Sequence, residues 1–192
     1  MKDSQASATE RVLATARTLY CDPAGGHPTM DDVARAAGIG RATLYRYFRN
    51  RDELLLSVME HEAIQIALRV EKQIRRYKQP SQFIIEGMLR AREEILGNEL
   101  FNALFQSGEG AALNRLLFNS DSLVDIARET MLPVVEIARA SGELSSDMDF
   151  DTMAEWILRT LLSLITVPSP KLKTRASTRK FLRATMLPVL EG

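Results

Sequence analysis

Five arginines, Arg35, Arg41, Arg46, Arg49 and Arg51, stand in a stretch that contains no acidic side chain. They give it a local charge of +5, in a chain of 192 residues whose 25 Lys and Arg balance its 25 Asp and Glu. Closely spaced phosphates on a nucleic-acid duplex attract such a set, because each guanidinium releases condensed counterions as it settles. Tyr45 and Tyr47 lie among the arginines, and their rigid rings either offer hydroxyls to phosphate oxygens or are partly buried in the small domain. A solvated basic face explains the charge equally well, so the decision falls to spacing.

Other chemistries find little support. Two histidines, one cysteine (Cys21) and no glycine-rich phosphate loop leave no nucleophile and base pair, no His/Glu spacing suited to a metal and no disulfide. The acidic run at Asp147, Asp149 and Asp151 reads as a helix start, where carboxylates match the helix dipole. No enzyme, cofactor, catalytic residue or metal site is therefore expected. The N-terminus has no apolar run like a signal peptide, and the longest apolar stretch, 156–167, is too short to span a membrane. The expected location is the cytoplasm.

Helical periodicity runs from end to end without sustained alternation, so the expected fold is all-α. Ser7 and Glu10 have capping-box spacing and open a first helix carrying Val12, Leu13, Ala16, Leu19 and Tyr20 to near Asp22. Residues 22–28 hold two prolines and two glycines and must be a loop. Thr29 and Asp32 cap a second helix that ends at Gly38, a third runs from about Gly40 to Phe48, and Asn50 and Glu53 start a long fourth, 52–77. Beyond Pro80, helices are expected near 81–105, 109–118, 121–141, 149–166 and 174–190, with a kink at Pro133.

Within this frame the basic segment has the logic of a helix-turn-helix. Small residues Ala34 and Ala37 sit where two helices would cross, Gly38 can take the positive φ of a sharp turn, and Leu44 and Phe48 lock the second helix inward. Arg41 with Tyr45, and Thr43 with Tyr47, form i,i+4 pairs on other faces.

The run TMDDVARAAGIGRATLYRYFRNRDEL, Thr29 through Leu54, resembles the tetracycline-repressor (TetR) family of transcriptional regulators. The resemblance covers about the first quarter of the chain in detail. It implies an N-terminal DNA-binding domain, 1–51, followed by a larger helical ligand-binding and dimerisation domain, 52–192. It places Arg41, Ala42 and Thr43 near bases and Thr29, Tyr45, Tyr47 and Arg51 near phosphates of a double-stranded operator. Arg41 can reach guanine O6 and N7 in bidentate fashion, the favoured reading, with a phosphate contact or a plain surface charge as alternatives. Ala42 either meets a thymine methyl or simply favours helix. Gly40 departs from the family, which commonly has serine or a similar capping residue there, so no phosphate bond is expected from it.

The resemblance also implies a homodimer, joined through the last two long helices, that is released from a palindromic operator by a small-molecule inducer. The apolar segments 150–167 and 178–190 suit such an interface and suit an intramolecular core as well. Met88, Phe101, Asn102, Phe105, Leu117, Met131 and Trp156 are the candidate ligand contacts, and with few unmatched charges around them the inducer would be mostly hydrophobic. An enzyme carrying a helix-turn-helix and an architectural DNA binder without ligand control are the competing readings. The first lacks the residues for catalysis, and the second leaves the large second domain unexplained.

Overall fold

The computed structural model describes residues 2–22, 28–106, 121–140, 142, 144, 149–167 and 169–190. They form helices and turns, with no strand among the described residues. In order the helices are α1 (Lys2–Cys21), α2 (Met30–Ala36), α3 (Arg41–Tyr47), α4 (Arg51–Ile74), α5 (Pro80–Leu96), α6 (Glu99–Gln106), α7 (Asp121–Ala140), α8 (Phe150–Thr166) and α9 (Arg175–Leu190). The all-α expectation stands.

The chain divides into two compact units, 1–62 with 98–120 and 63–97 with 121–192, and α4 starts in the first and continues into the second. In the first unit α1 packs on α2 and α6, and α2 on α3. The apolar positions spaced for helices are the ones buried: Val12, Ala16 and Tyr20 on α1, Val33 and Ala34 on α2, Leu44 on α3, and Leu54, Leu55 and Val58 on α4. In the second unit α5 is the centre, packed by α7, α8 and α9. Its core joins Ile84, Ile85, Met88 and Leu89 to Met153 and Ile157 of α8 and to Leu182, Met186 and Leu190 of α9. Gly87 matters there because a Cβ would stand 3.2 Å from Ile74 Cδ1, so its absence lets the end of α4 lie close to α5.

Three helix boundaries differ from the sequence reading. α1 begins at Lys2, which puts Ser7 inside the helix and not at its cap. The long fourth helix stops at Ile74, short of Tyr77, with Arg75 and Arg76 in a turn before Pro80 occupies the first position of α5. The single helix expected over 81–105 is two, because Gly97 ends α5 and Asn98 starts α6 by accepting the Leu100 and Phe101 amides at 3.0 and 3.3 Å. Asn98 also donates to Glu62 Oε1 at 2.6 Å, and Arg17 of α1 donates to Glu62 Oε2 at 2.8 Å. This buried carboxylate on α4 thus ties α1 to the start of α6, a long-range requirement that overrides continuous helix. The helix expected at 109–118 lies outside the described residues.

A second buried carboxylate organises the other unit. Glu86 of α5 accepts Arg179 Nε at 2.6 Å and Nη2 at 3.0 Å, Arg175 Nη2 at 2.9 Å and the Tyr77 hydroxyl at 3.4 Å, while Arg175 also bonds Glu93. Burial pushes the Glu86 carboxyl up, and the guanidinium hydrogen bonds outweigh it, holding the group below the usual carboxylate range. The start of α9 is thereby fastened to α5.

Candidate nucleic-acid interface

The interface is built on how α2 begins. Thr29 is extended, with φ −83° and ψ 164°; its hydroxyl accepts the Asp32 amide at 3.2 Å and donates to Asp32 Oδ2 at 2.6 Å. The Thr29 amide closes the box onto the same oxygen at 3.0 Å. The Thr29 hydroxyl, and after it the Thr29 amide, hold the Asp32 carboxyl below its ordinary range. α2 then ends at a sharp turn in which Gly38 takes φ +66°, a conformation costing any L side chain about 1–2 kcal/mol. The Ile39 amide returns to Ala34 O at 3.0 Å, and Gly40, extended at φ −68° and ψ 146°, starts α3 without a side-chain cap.

This turn sets α3 so that its faces separate cleanly. Leu44 is wholly buried and Phe48, just past the helix, is buried too, as the spacing requires. Arg41, Ala42, Tyr45 and Arg46 are exposed, and Thr43 and Tyr47 are half-buried. Burying a leucine of this size is worth about 1.5–3 kcal/mol, enough to hold a helix of two turns that could not persist alone. What remains outside is a row of guanidinium, hydroxyl and methyl groups.

The arginines are held by their neighbours. Arg41 Nη1 reaches Asp31 Oδ2 of α2 at 2.9 Å, and its guanidinium lies 5.4 Å from the centre of the Tyr45 ring. Arg46 lies 5.5 Å over Tyr47, whose ring meets Phe48 edge-on at 6.5 Å. Arg51 is half-buried; its Nε donates to Pro28 O at 3.2 Å, and its guanidinium lies 5.7 Å over Tyr20 of α1. That contact anchors the approach to Thr29. Arg35 and Arg49 are exposed, Arg35 beside Asp32 at 3.4 Å.

Sequence reasoning missed Asp31. The acid-free stretch starts at Arg35, and a residue ten positions before Arg41 gives no helical signal of contact, yet the turn at Gly38 brings the two together. Thr29, Arg41, Ala42, Thr43, Tyr45, Tyr47 and Arg51 all fall in the first unit, on or beside α2, α3 and the start of α4.

The ligand candidates divide. Met88 belongs to the core of the second unit, with Trp156 partly buried against it, whereas Phe101, Asn102 and Phe105 sit on α6 in the first unit. Leu117 and the side chain of Met131 lie outside the described residues. Arg92 of α5 donates to the carbonyls of Leu164 and Leu172 at 3.2 and 3.3 Å. His61 is exposed. Among the described residues there is no cluster of three His, Cys, Asp or Glu that could hold a metal ion, and no helix is long and apolar enough to cross a membrane.

Residues 24–58 match the sequence model of the bacterial regulatory proteins of the tetR family. This N-terminal segment is what the chain shares with that family. A helix-turn-helix transcriptional regulator of Mycobacterium tuberculosis, itself uncharacterized, is 22% identical over 185 residues, 95% of this chain and 85% of that protein. Among solved structures, the R. erythropolis transcriptional repressor QsdR, from the TetR family, superposes with a TM-score of 0.72 at 20% identity over 96% of each chain. RolR in complex with resorcinol gives 0.74 at 17% identity, covering 99% of this chain and 90% of its own. At these identities the structures establish the fold, and the likeness to the tetR family rests on the helix-turn-helix segment.

Proposed function

We propose that this protein is a ligand-responsive repressor of the tetR kind that binds a palindromic operator as a homodimer and leaves it when a small, mostly hydrophobic molecule binds. The observation that carries the reading is the division of α3, which buries Leu44 completely and leaves Arg41, Ala42, Tyr45 and Arg46 outward. In the functional assignment, residues 1–51 read DNA and 52–192 bind ligand and dimerise. Arg41, Ala42 and Thr43 meet base edges in the major groove, and Thr29, Tyr45, Tyr47 and Arg51 hold phosphates. Two copies of α3 must then stand about 34–36 Å apart, one turn of duplex, to read both half-sites.

Ligand control follows from state selection: a molecule that prefers another spacing of the two copies of α3 lowers operator affinity in proportion to that preference. Met88, Met131 and Trp156 in the second unit are one proposed set of contacts, and Phe101, Asn102, Phe105 and Leu117 in the first are another. Supporting the ligand class, one similar structure was solved with resorcinol; supporting repression, another is described as a repressor.

Selection of bound sequences from random duplexes tests the reading. A palindromic site should emerge, with binding that weakens steeply as salt rises. Tyr45→Ala should lose about tenfold in affinity while the helical circular dichroism is unchanged; unchanged affinity would remove Tyr45 from the contact set. The repressor reading itself fails if no duplex is enriched.

A further inference from the structure

Arg51, proposed above to hold a phosphate, is aimed by its neighbours. Its Nε donates to Pro28 O at 3.2 Å and its guanidinium lies 5.7 Å over the Tyr20 ring, so a carbonyl and a ring decide which way the other two nitrogens of the fork point. Pro28 leads directly into Thr29, the cap of α2 and a second proposed phosphate contact. Both contacts are thereby linked to the buried Tyr20, in the last turn of α1. A contact to phosphate must be held to about 0.5 Å to keep its strength.

What fixes that turn is charged. Arg17, one turn before Tyr20, donates its Nε to Oε2 of the buried Glu62 at 2.8 Å, and Asn98 takes the other carboxylate oxygen at 2.6 Å. Arg51 and Glu62 stand three turns apart on α4 and share one face of it, since eleven residues make almost a whole number of 3.6-residue turns. That face of α4 meets α1 twice, at its start under Tyr20 and three turns on at Arg17. Stability alone does not explain a carboxylate there. Taking two charges out of water costs so much that a buried ion pair often holds no better than apolar side chains of similar volume. Apolar packing has no direction, however, whereas a hydrogen bond weakens steeply when its angle is lost. A carboxylate with both oxygens bonded therefore orients α1 where a leucine would only hold it.

We infer that Glu62 is a positioning residue for DNA binding: with one oxygen on Arg17 and the other on Asn98 it sets the last turn of α1, and through Tyr20 the guanidinium of Arg51. This rests on the phosphate contact proposed for Arg51 and names what aims it. Glu62 itself stays three turns away from the end of α4 that meets the phosphates. Its loss should resemble the loss of one phosphate contact: weaker binding by the same factor on every duplex, sequence preference intact and a shallower dependence on salt.

Arg17→Met with Glu62→Gln tests this in the full chain. The two changes keep the apolar stem at 17 and an acceptor for Asn98, and remove the charged link. Fluorescence anisotropy is read on the selected duplex and on one of unrelated sequence. The double variant should bind both about five- to tenfold more weakly, with the slope of log affinity against log salt shallower by about one, as in Arg51→Ala. Set into Arg51→Ala, the same two changes should cost less than about twofold more, because the path they act through is already cut. Arg17→Lys with Glu62 intact keeps a cation on the carboxylate and should bind within about threefold of the unaltered chain. If the double variant loses its helical circular dichroism, Tyr20→Leu cuts the next link and carries the same expectations. Losses that add in full to that of Arg51→Ala, losses confined to the selected duplex, or unchanged binding overturn the inference and leave Arg51 as a phosphate contact. If Arg51→Ala binds both duplexes as tightly as the unaltered chain, Arg51 leaves the contact set and the inference falls with it.

Discussion

Asp31 of α2 and Arg41 of α3 are joined at 2.9 Å across the turn at Gly38, so the arginine at the head of the exposed face starts out paired. Both side chains are exposed, 48% and 65%, and such a pair contributes about 0.2–1 kcal/mol to stability. Its larger effect is on DNA. Asp31 sets a negative charge where phosphates are proposed to come, and it must yield Arg41 before that side chain reaches a base.

Asp31→Asn should therefore tighten operator binding about three- to tenfold, leave thermal stability nearly unchanged and steepen the dependence of log affinity on log salt, since one more cation is free to displace counterions. Arg41→Ala should weaken binding by about 1–3 kcal/mol and relax discrimination at one base pair if the contact is to guanine. Fluorescence anisotropy on the selected site and on single-base variants measures both. Equal loss on every sequence would make Arg41 a phosphate contact; no change in Asp31→Asn would mean that the pair does not compete with DNA.

What could be read from the sequence was local. Thr29 with Asp32, Asn50 with Glu53, and Asp149 at the head of α8 each bond within three residues, and each marks a helix start where the structure has one. Leu44 and Phe48 follow from helical spacing alone. Contacts across the fold gave no such signal. Asp31 meets Arg41 only because Gly38 turns the chain, and the break between α5 and α6 depends on Asn98 finding Glu62, thirty-six residues earlier in the sequence. Met88 and Phe101 illustrate a different obstacle: a core residue and a ligand contact both need an apolar side chain at helical spacing, and only three-dimensional packing separates them.

The Asn98 to Glu62 bond leads to a stability prediction within the first unit. Asn98 is 9% exposed and does two jobs, donating to a buried carboxylate and accepting two amides at the start of α6. Asn98→Ala removes all three bonds and should cost about 1–3 kcal/mol in urea unfolding. Asn98→Asp keeps the cap but sets a second carboxylate against Glu62, and should be worse than alanine at pH 7 and recover as pH falls. If aspartate were the better tolerated of the two at neutral pH, the cap would matter more than the bond to Glu62.

Glu86 gives the clearest dependence on pH. Its folded carboxyl is held below the ordinary range by Arg179 and Arg175, against the upward push of burial, whereas in the unfolded chain it returns to about 4.3. A group with a depressed folded pKa contributes its full stabilisation above the unfolded value and loses it as pH falls through the folded one. Unfolding temperature should thus be level from about pH 8 to pH 5.5 and fall below about pH 4.5. Glu86→Gln should cost about 1–3 kcal/mol at pH 7, because α9 loses its charged anchor on α5. The same variant should flatten the acid limb without abolishing it, since Asp32 and Asp149 are also held low by the bonds that cap their helices. Melting curves from pH 8 to pH 3 on both proteins decide the matter. Parallel acid limbs would place the loss at other carboxylates, and equal stability at pH 7 would show that the apolar contacts of Leu182, Met186 and Leu190 suffice to hold α9.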